Sequence, residues 1–321
     1  MHTIITNNGA MGMDIYDIII IGGGAAGMSA AIYAMRADMK TLVLERLATG
    51  GQAAKTYEID NYPGFYNTPS GPDLMADFKS HAEKLGAQIR TEAVREIINI
   101  DGDIKTVKTR RGEYNTKTVI FALGASPKKL GVKGEAELTG AGVSYCATCD
   151  GAFFKGLDTA VIGGGNTAME DALYLSRFAS HVTILNRSKR FRASKVLLDK
   201  AYNNPNITIL SDTVAEEFLG DMRLDTIITK NTQTGEMGEL KANGVIIAVG
   251  ITPDTELAKK CGVALSEDGF IITDTNLKTN IDGVYAAGDC RVSPLRQVVT
   301  AAADGAISAT SAINYLMQIG D

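Results

Sequence analysis

The 321-residue sequence predicts an α/β protein of two three-layer domains, the second inserted into the first. Three observations carry this expectation. Two segments repeat the order apolar strand, glycine-rich turn, small-residue helix, apolar strand. Two further apolar runs, ending at Gly124 and Gly250, are each followed three residues later by a proline, Pro127 and Pro253. The composition, 45% apolar and 21% charged, suits a globular chain with enough residues for two cores.

The first unit begins with the apolar run 16–21, then GGGAAG (22–27), then a small-residue helix to about Arg36. A strand from Thr41 to Leu44 follows, closed by Glu45. Gly22 permits the tight turn, Gly24 lets a pyrophosphate approach the backbone, and Gly27 lets helix and strand pack closely. With Ala25 and Ala26 these glycines open a helix whose free N–H groups and dipole favour phosphate. Glu45 stands where a carboxylate accepts hydrogen bonds from ribose hydroxyls, which points to FAD or NAD.

The second unit runs from Asp158 to Ile162, through GGGNTA (163–168), along a helix to about Phe178, and into a strand from His181 to Leu185. Gly163 and Gly165 repeat the glycine roles, Asn166 and Thr167 follow, and Ala168 is the small third position. Asn186 occupies the place that Glu45 holds in the first unit. Arg187, Ser188, Lys189, Arg190 and Arg192 come after it. With no carboxylate there, this basic cluster suits the 2′-phosphate of NADPH; a solvated basic loop is the plainer reading.

Both units are Rossmann-like dinucleotide-binding patterns, and two in one chain reinforce each other. The expected boundaries are 14–127 for the first part of one dinucleotide-binding domain, 128–253 for a second, inserted one, and 254–321 for the rest of the first. Residues 1–13 are expected to form a flexible extension, with neither the basic nor the apolar region of a signal peptide.

Cys146 and Cys149 are spaced to form and break a disulfide just before the second unit, with Asp150 placed to exchange a proton with a thiol. A helix starting there would favour the thiolate. Zinc needs two more soft ligands; Cys261 and Cys290 are isolated and no histidine lies near a cysteine, so no metal site is expected. Four cysteines with one close pair point to a reducing cytoplasm. The net charge of −5 gives no nucleic-acid surface, and no apolar stretch reaches the ~18 residues of a membrane helix. Near the end, an apolar strand delivers Gly288 and Asp289. Arg296 and Gln297 follow, then a small-residue helix from Val298 to Ala312.

From about Tyr16 to Tyr315 the chain resembles the bacterial, low-molecular-weight thioredoxin reductases. The resemblance rests on GGGAAG (22–27), GGQ (50–52), IDNYPGF (59–65), CATCDG (146–151), GGGNTAMEDALYL (163–175), GVYAAGDC (283–290) and RQVVTAAADGAISA (296–309). It makes 14–127 with 254–321 the FAD-binding domain and 128–253 the NAD(P)H-binding domain. It implies FAD held by Gly22, Gly24, Ala25, Ala26, Gly27, Glu45, Arg46, Gly51, Gln52, Asn61, Gly124, Gly288, Asp289, Arg296, Gln297 and Val298. NADPH or NADH would be held by Gly163, Gly165, Asn166, Thr167, Ala168, Asn186, Arg187, Ser188 and Arg192. The resemblance further implies a homodimer and a thioredoxin-like protein as electron acceptor. Cys149 would face the flavin, Cys146 would attack the acceptor disulfide, and Asp150 would serve as acid and base. In the family the inserted domain rotates, which makes the 124–127 and 250–253 crossings candidate hinges.

One departure concerns the nucleotide. The family signature reads His-Arg-Arg with a further Arg four residues on, whereas this chain reads Asn186, Arg187, Ser188 and Arg192. Losing one guanidinium costs on the order of 1–3 kcal/mol of charged hydrogen bonding. Asn186 and Ser188 could instead bond the free ribose hydroxyls of NADH. A non-nucleotide donor such as ferredoxin, a dithiol oxidase and a non-turnover redox sensor are the alternatives on this scaffold.

Overall fold

In a computed structural model of the chain, the described residues are 15–56, 59, 61–67 and 69–320. The expected extension at 1–13 and Asp60 of the IDNYPGF motif lie outside them. The chain divides into two compact units. One takes the described residues within Met1–Glu58, Tyr62–Ser126 and Pro253–Asp321; the other takes those within Ile59–Asn61 and Pro127–Thr252.

In the first unit β1 (Ile15–Ile21) is followed by α1 (Ala25–Arg36) and β2 (Thr41–Glu45). Next come α2 (Gly71–Lys84), β3 (Gln88–Thr91), β4 (Glu96–Ile98), β5 (Lys105–Lys108) and β6 (Glu113–Phe121). The sheet order is β3-β2-β1-β6-β5-β4. β1 is parallel to both neighbours, with Ile18 opposite Thr41 on one side and Thr118 on the other. The long strand β6 divides its outer edge. Its first half pairs antiparallel with β5, and its second half pairs parallel with β17 (Val284–Ala286).

The unbroken apolar run of β1 reflects burial on both faces, as parallel sheets require. Ile18 and Ile20 pack with α1 and with α7 (Val298–Gly320), while Ile19 and Ile21 pack with Val107, Ala258, Val263 and Ile271. Ala258 belongs to α6 (Glu256–Lys260). The contact of α1 with α7 is close because Gly305 has no side chain: a Cβ there would lie 2.1 Å from the Ala26 carbonyl oxygen. Ser29 Oγ donates to the Ala302 carbonyl at 2.7 Å across the same contact.

The crossings carry β7 (Ala125–Pro127) and β16 (Ile251–Pro253). The second unit holds β8 (Val143–Ser144), α3 (Ala147–Asp150), β9 (Asp158–Ile162), α4 (Asn166–Leu175) and β10 (His181–Leu185). It continues through α5 (Lys195–Tyr202), β11 (Ile207–Leu210), β12 (Thr213–Leu219), β13 (Thr226–Asn231), β14 (Met237–Lys241) and β15 (Gly244–Ile247). The order β11-β10-β9-β15-β8 is a wholly parallel sheet. Val161, Val182 and Ile184 face α4, whereas Ala160, Ile162 and Leu185 face Phe218 and Ile227 of the antiparallel β12-β13-β14 sheet. Each unit is thus a three-layer α/β body of the Rossmann-like kind.

Four element ends differ from expectation. α4 stops at Leu175 instead of Phe178, where a tighter turn closes with Phe178 N–H donating to Leu175 O. The last helix runs past Ala312 to Gly320, because Ile313 and Leu316 extend its buried stripe at helical spacing. β6 and β15 stop at Phe121 and Ile247, short of Gly124 and Gly250. Ala122 and Ala248 make the last bonds, to Ile21 O and Ile162 O, before the chain leaves each sheet.

Candidate active site

The GGGAAG turn places Gly24 in extended conformation before α1, and the helix start has no side-chain cap. A Cβ built on Gly24 would meet nothing nearer than the Gly51 Cα at 3.9 Å, so this side of the turn is open. By contrast, a Cβ on Gly27 would strike the Gly22 carbonyl oxygen at 1.9 Å. Ala25 and Ala26 are buried at the helix start. Glu45 braces the turn: Oε2 accepts the Gly23 N–H at 2.7 Å and Oε1 accepts the Leu47 N–H at 3.0 Å. Gln52 Nε2 donates to Ser126 Oγ at 2.9 Å, Arg46 pairs with Asp254 at 2.6 Å, and Gly124 O accepts the Asp254 N–H at 3.3 Å. Asn61 lies in the 59–61 segment that groups with the second unit.

Gly288 and Asp289 form a short 3₁₀ turn after β17. Burial pushes the Asp289 carboxyl up to about 6, against the pull of Arg296, with Asp304 adding to the rise. The Arg296 guanidinium sits 4.2 Å from the centre of the Phe270 ring, and its Nε is buried without a hydrogen-bond partner among the described residues. Gln297 accepts the Ala301 N–H at 2.9 Å and Val298 opens α7. An uncapped helix start, an open glycine cradle and a buried, unpartnered Nε together fit a phosphate-bearing cofactor with a polar ring.

The second turn repeats the first. Gly165 precedes α4 without a side-chain cap, and a Cβ on it would meet nothing within 4 Å. Ala168 is buried, and Asn166 Oδ1 accepts the Ser194 N–H at 2.7 Å. Gly164 O accepts the Arg192 N–H at 2.7 Å, which ties the basic loop to the glycine turn. Asn186 is drawn into the basic loop itself. It is 5% exposed, its Nδ2 donates to the carbonyls of Ser188 and Arg190 at 2.5 and 3.3 Å, and its Oδ1 lies under Gly164. Both hydrogens of its amide are thus used within the loop. Ser188 Oγ donates to Arg190 O at 3.1 Å, while the side chains of Arg187 and Arg192 are exposed. Gly163 lies between β9 and α4, and Thr167 is in the first turn of α4.

Cys146 and Cys149 are disulfide-bonded, with Cα atoms 5.3 Å apart. Cys146 caps α3, and its Sγ accepts the Cys149 N–H at 3.2 Å. Asp150 closes the same turn, its N–H donating to Cys146 O at 3.1 Å. All three side chains are half-buried. The expected dithiol and acid therefore share one helical turn at the carboxyl end of β8. Cys290 is fully buried, and burial pushes its thiol up to about 11; Cys261 is half-buried against the same core. Among the described residues no acidic, histidine or cysteine cluster could hold a metal ion, and no helix is long and apolar enough to cross a membrane.

Three features escape a reading of the sequence. Ser144 Oγ donates to Asp150 Oδ2 and accepts the Cys146 N–H at 3.1 Å. Its only signal is a serine two residues ahead of a turn, a common side-chain-to-backbone pattern. Tyr145 donates to the buried carboxylate of Glu135 at 2.8 Å, and Glu135 also accepts the N–H groups of Leu130 and Gly131. Asp304 binds Gly288 and Arg291 from α7, a contact no sequence pattern announces.

Two dinucleotide-type turns and a reactive cysteine pair in one chain define a pyridine nucleotide-disulphide oxidoreductase. The profile of that family matches residues 16–305, and the chain belongs to it. Among individual proteins, the chain is 44% identical over 309 residues to the thioredoxin reductase of Peptoclostridium acidaminophilum, spanning 94% of this chain and 98% of the relative. It is 44% identical to the thioredoxin reductase of Bacillus subtilis over 307 residues, spanning 95% of this chain and 96% of the relative. The crystal structure of thioredoxin reductase from Streptococcus pyogenes matches with a TM-score of 0.90 at 41% identity, covering 95% of this chain and 99% of that one.

Proposed function

We propose that this protein is a thioredoxin-disulfide reductase with FAD and a pyridine nucleotide, preferentially NADPH, as its redox cofactors. The observation that carries the reading is the Cys146–Cys149 disulfide on one helical turn with Asp150, in a chain that also holds two dinucleotide-type turns. FAD, when bound, supplies two-electron chemistry between a hydride donor and a disulfide. Gly22, Gly24 and the α1 start would hold its pyrophosphate, Glu45 a ribose through its remaining lone pairs, and Asp289, Arg296 and Gln297 the ring end.

From the reduced dithiol, the Cys146 thiolate attacks one sulfur of the acceptor disulfide. A mixed disulfide forms and the leaving acceptor thiolate takes the proton held by Asp150. Asp150, now ionised, takes the Cys149 thiol proton; the Cys149 thiolate attacks Cys146 Sγ, restoring the 146–149 disulfide, and the second acceptor thiolate leaves and takes that proton from Asp150. Cys149 N–H, aimed at Cys146 Sγ, and the start of α3 both favour the thiolate there.

Nucleotide choice falls to Arg187 and Arg192 with Lys189 and Arg190, since the Asn186 amide is spent inside the loop. The reading includes a homodimer and a cytoplasmic location. An anaerobic titration of the flavin-loaded protein with NADPH and with NADH, followed by thioredoxin-dependent insulin reduction, tests it. Bleaching of the flavin by NADPH and thioredoxin turnover are expected. Bleaching only by dithionite would overturn the nucleotide assignment, and bleaching without thioredoxin turnover would overturn the acceptor.

A further inference from the structure

Ser144 ends β8, an edge strand held by β15 with Ile246 opposite Ser144, and is itself 5% exposed. A serine hydroxyl has one hydrogen to donate and two lone pairs to accept with. The hydrogen goes to Asp150 Oδ2, and one lone pair takes the Cys146 N–H at 3.1 Å. The Asp150 N–H returns to Cys146 O at 3.1 Å, closing a ring through the carboxyl, the hydroxyl and the backbone of the attacking cysteine. The sheet fixes one side of that ring and the helical turn the other.

We propose that Ser144 is a positioning residue, holding the Asp150 carboxyl in register with the dithiol while it gains and loses its proton. The inference rests on the reading of Asp150 as the acid and base of thiol exchange. Ser144 gives its only hydrogen to Oδ2, and a carboxyl oxygen can accept that bond whether or not the group is ionised. A donor aimed at a carboxylate also favours the charged form. Removing it therefore moves the titration of Asp150 upward relative to the wild type and frees the carboxyl to rotate.

Ionisable neighbours must be separated from this effect. On α4, which packs against α3, they are Glu170, Asp171 and Tyr174; beside β8 they are Tyr145 and Glu135; β15 and the 151–154 turn carry none. The profiles are therefore recorded in the wild-type and in the Asp171→Asn background.

The test uses the flavin-loaded protein with a bacterial thioredoxin. Ser144→Ala should lower kcat roughly tenfold with little change in KM for thioredoxin, a fraction of the usual general-acid contribution. The pH midpoint of whichever limb Asp150→Asn abolishes should move upward. Iodoacetamide trapping of Cys146 in the reduced protein should show a matching shift in its pH dependence, read by mass spectrometry without turnover. Ser144→Thr, which keeps the hydroxyl, should recover activity to within about twofold, while the similarly sized Ser144→Val should not. This pair decides the matter even if the alanine variant folds poorly. Wild-type kcat and pH profiles in Ser144→Ala, or equal losses in the threonine and valine variants, would overturn the role of Ser144. Undiminished turnover in Asp150→Asn would instead remove the acid–base reading on which it rests.

Discussion

Asp304 and Arg291 are joined by two 2.6 Å hydrogen bonds, one from Nε and one from Nη2, and Asp304 Oδ2 also accepts the Gly288 N–H at 3.0 Å. The pair ties the Gly288–Cys290 turn to the second turn of α7, and so sets where Asp289 lies relative to Arg296. Both partners are largely withdrawn from solvent, Asp304 more than Arg291. Removing one partner of such a pair strands the other's charge, at a cost of about 3 kcal/mol. Arg291→Ala should lower stability by that order in chemical denaturation and release FAD on gel filtration. Retained flavin and an unchanged denaturation midpoint would show that the turn is held by other contacts.

Cys149→Ser should keep bound FAD and lose thioredoxin reduction by a factor on the order of a thousand, because no partner then restores the intramolecular disulfide. The flavin spectrum and an insulin-reduction assay read the two properties separately. Near wild-type turnover in this variant would refute the dithiol assignment.

Ser188→Arg should lower KM for NADPH roughly tenfold and leave KM for NADH little changed, as expected when a charge-assisted contact to phosphate is added. The local cost is small, since Ser188 gives up only a 3.1 Å bond to Arg190 O while its own carbonyl still receives the Asn186 amide. An unchanged NADPH to NADH ratio would mean that this loop does not read the 2′-phosphate.

Asp171 provides a pH test. Burial, helped by Glu170, raises its carboxyl from 3.8 to about 7. Over that window the folded state binds more protons than the unfolded state, so stability is fully present below the ordinary carboxylate range and lost as pH rises towards 7. Asp171→Asn removes the burial penalty. It should be the more stable protein at pH 8, by roughly 1–2 kcal/mol, with the difference vanishing near pH 4. Parallel stability curves for the two proteins from pH 4 to 8 would contradict this.

Much of the fold is legible in the order of residues alone. The run of isoleucines at 18–21 and the turn GGGAAG announce a buried parallel strand feeding a helix, because helix, strand and phosphate-ready turn depend on neighbours in the chain. The CxxC pair is equally plain, since two intervening residues place both sulfurs on one helical turn. Legibility fails where a side chain's partner is remote or its surroundings come from elsewhere in the chain. Spacing places Asn186 at the end of the second unit's strand, but it does not tell that the side chain lies beneath Gly164 with its amide bonded inside the loop. The C-terminal helix outruns its expected end at Ala312 because Ile313 and Leu316 find a core supplied by α1 and β1.

The sequence by itself determined the class of elements, the two dinucleotide-type turns, the dithiol and its neighbouring carboxyl. These are local matters of backbone geometry, helix termini and covalent spacing. Tertiary structure alone decided that Ser144 meets Asp150, that Asp304 reaches Gly288 and Arg291, and that Asn186 serves its own loop. A hydrogen bond depends on where two atoms sit to within a few tenths of an ångström. Only the packed sheets and helices set positions that finely.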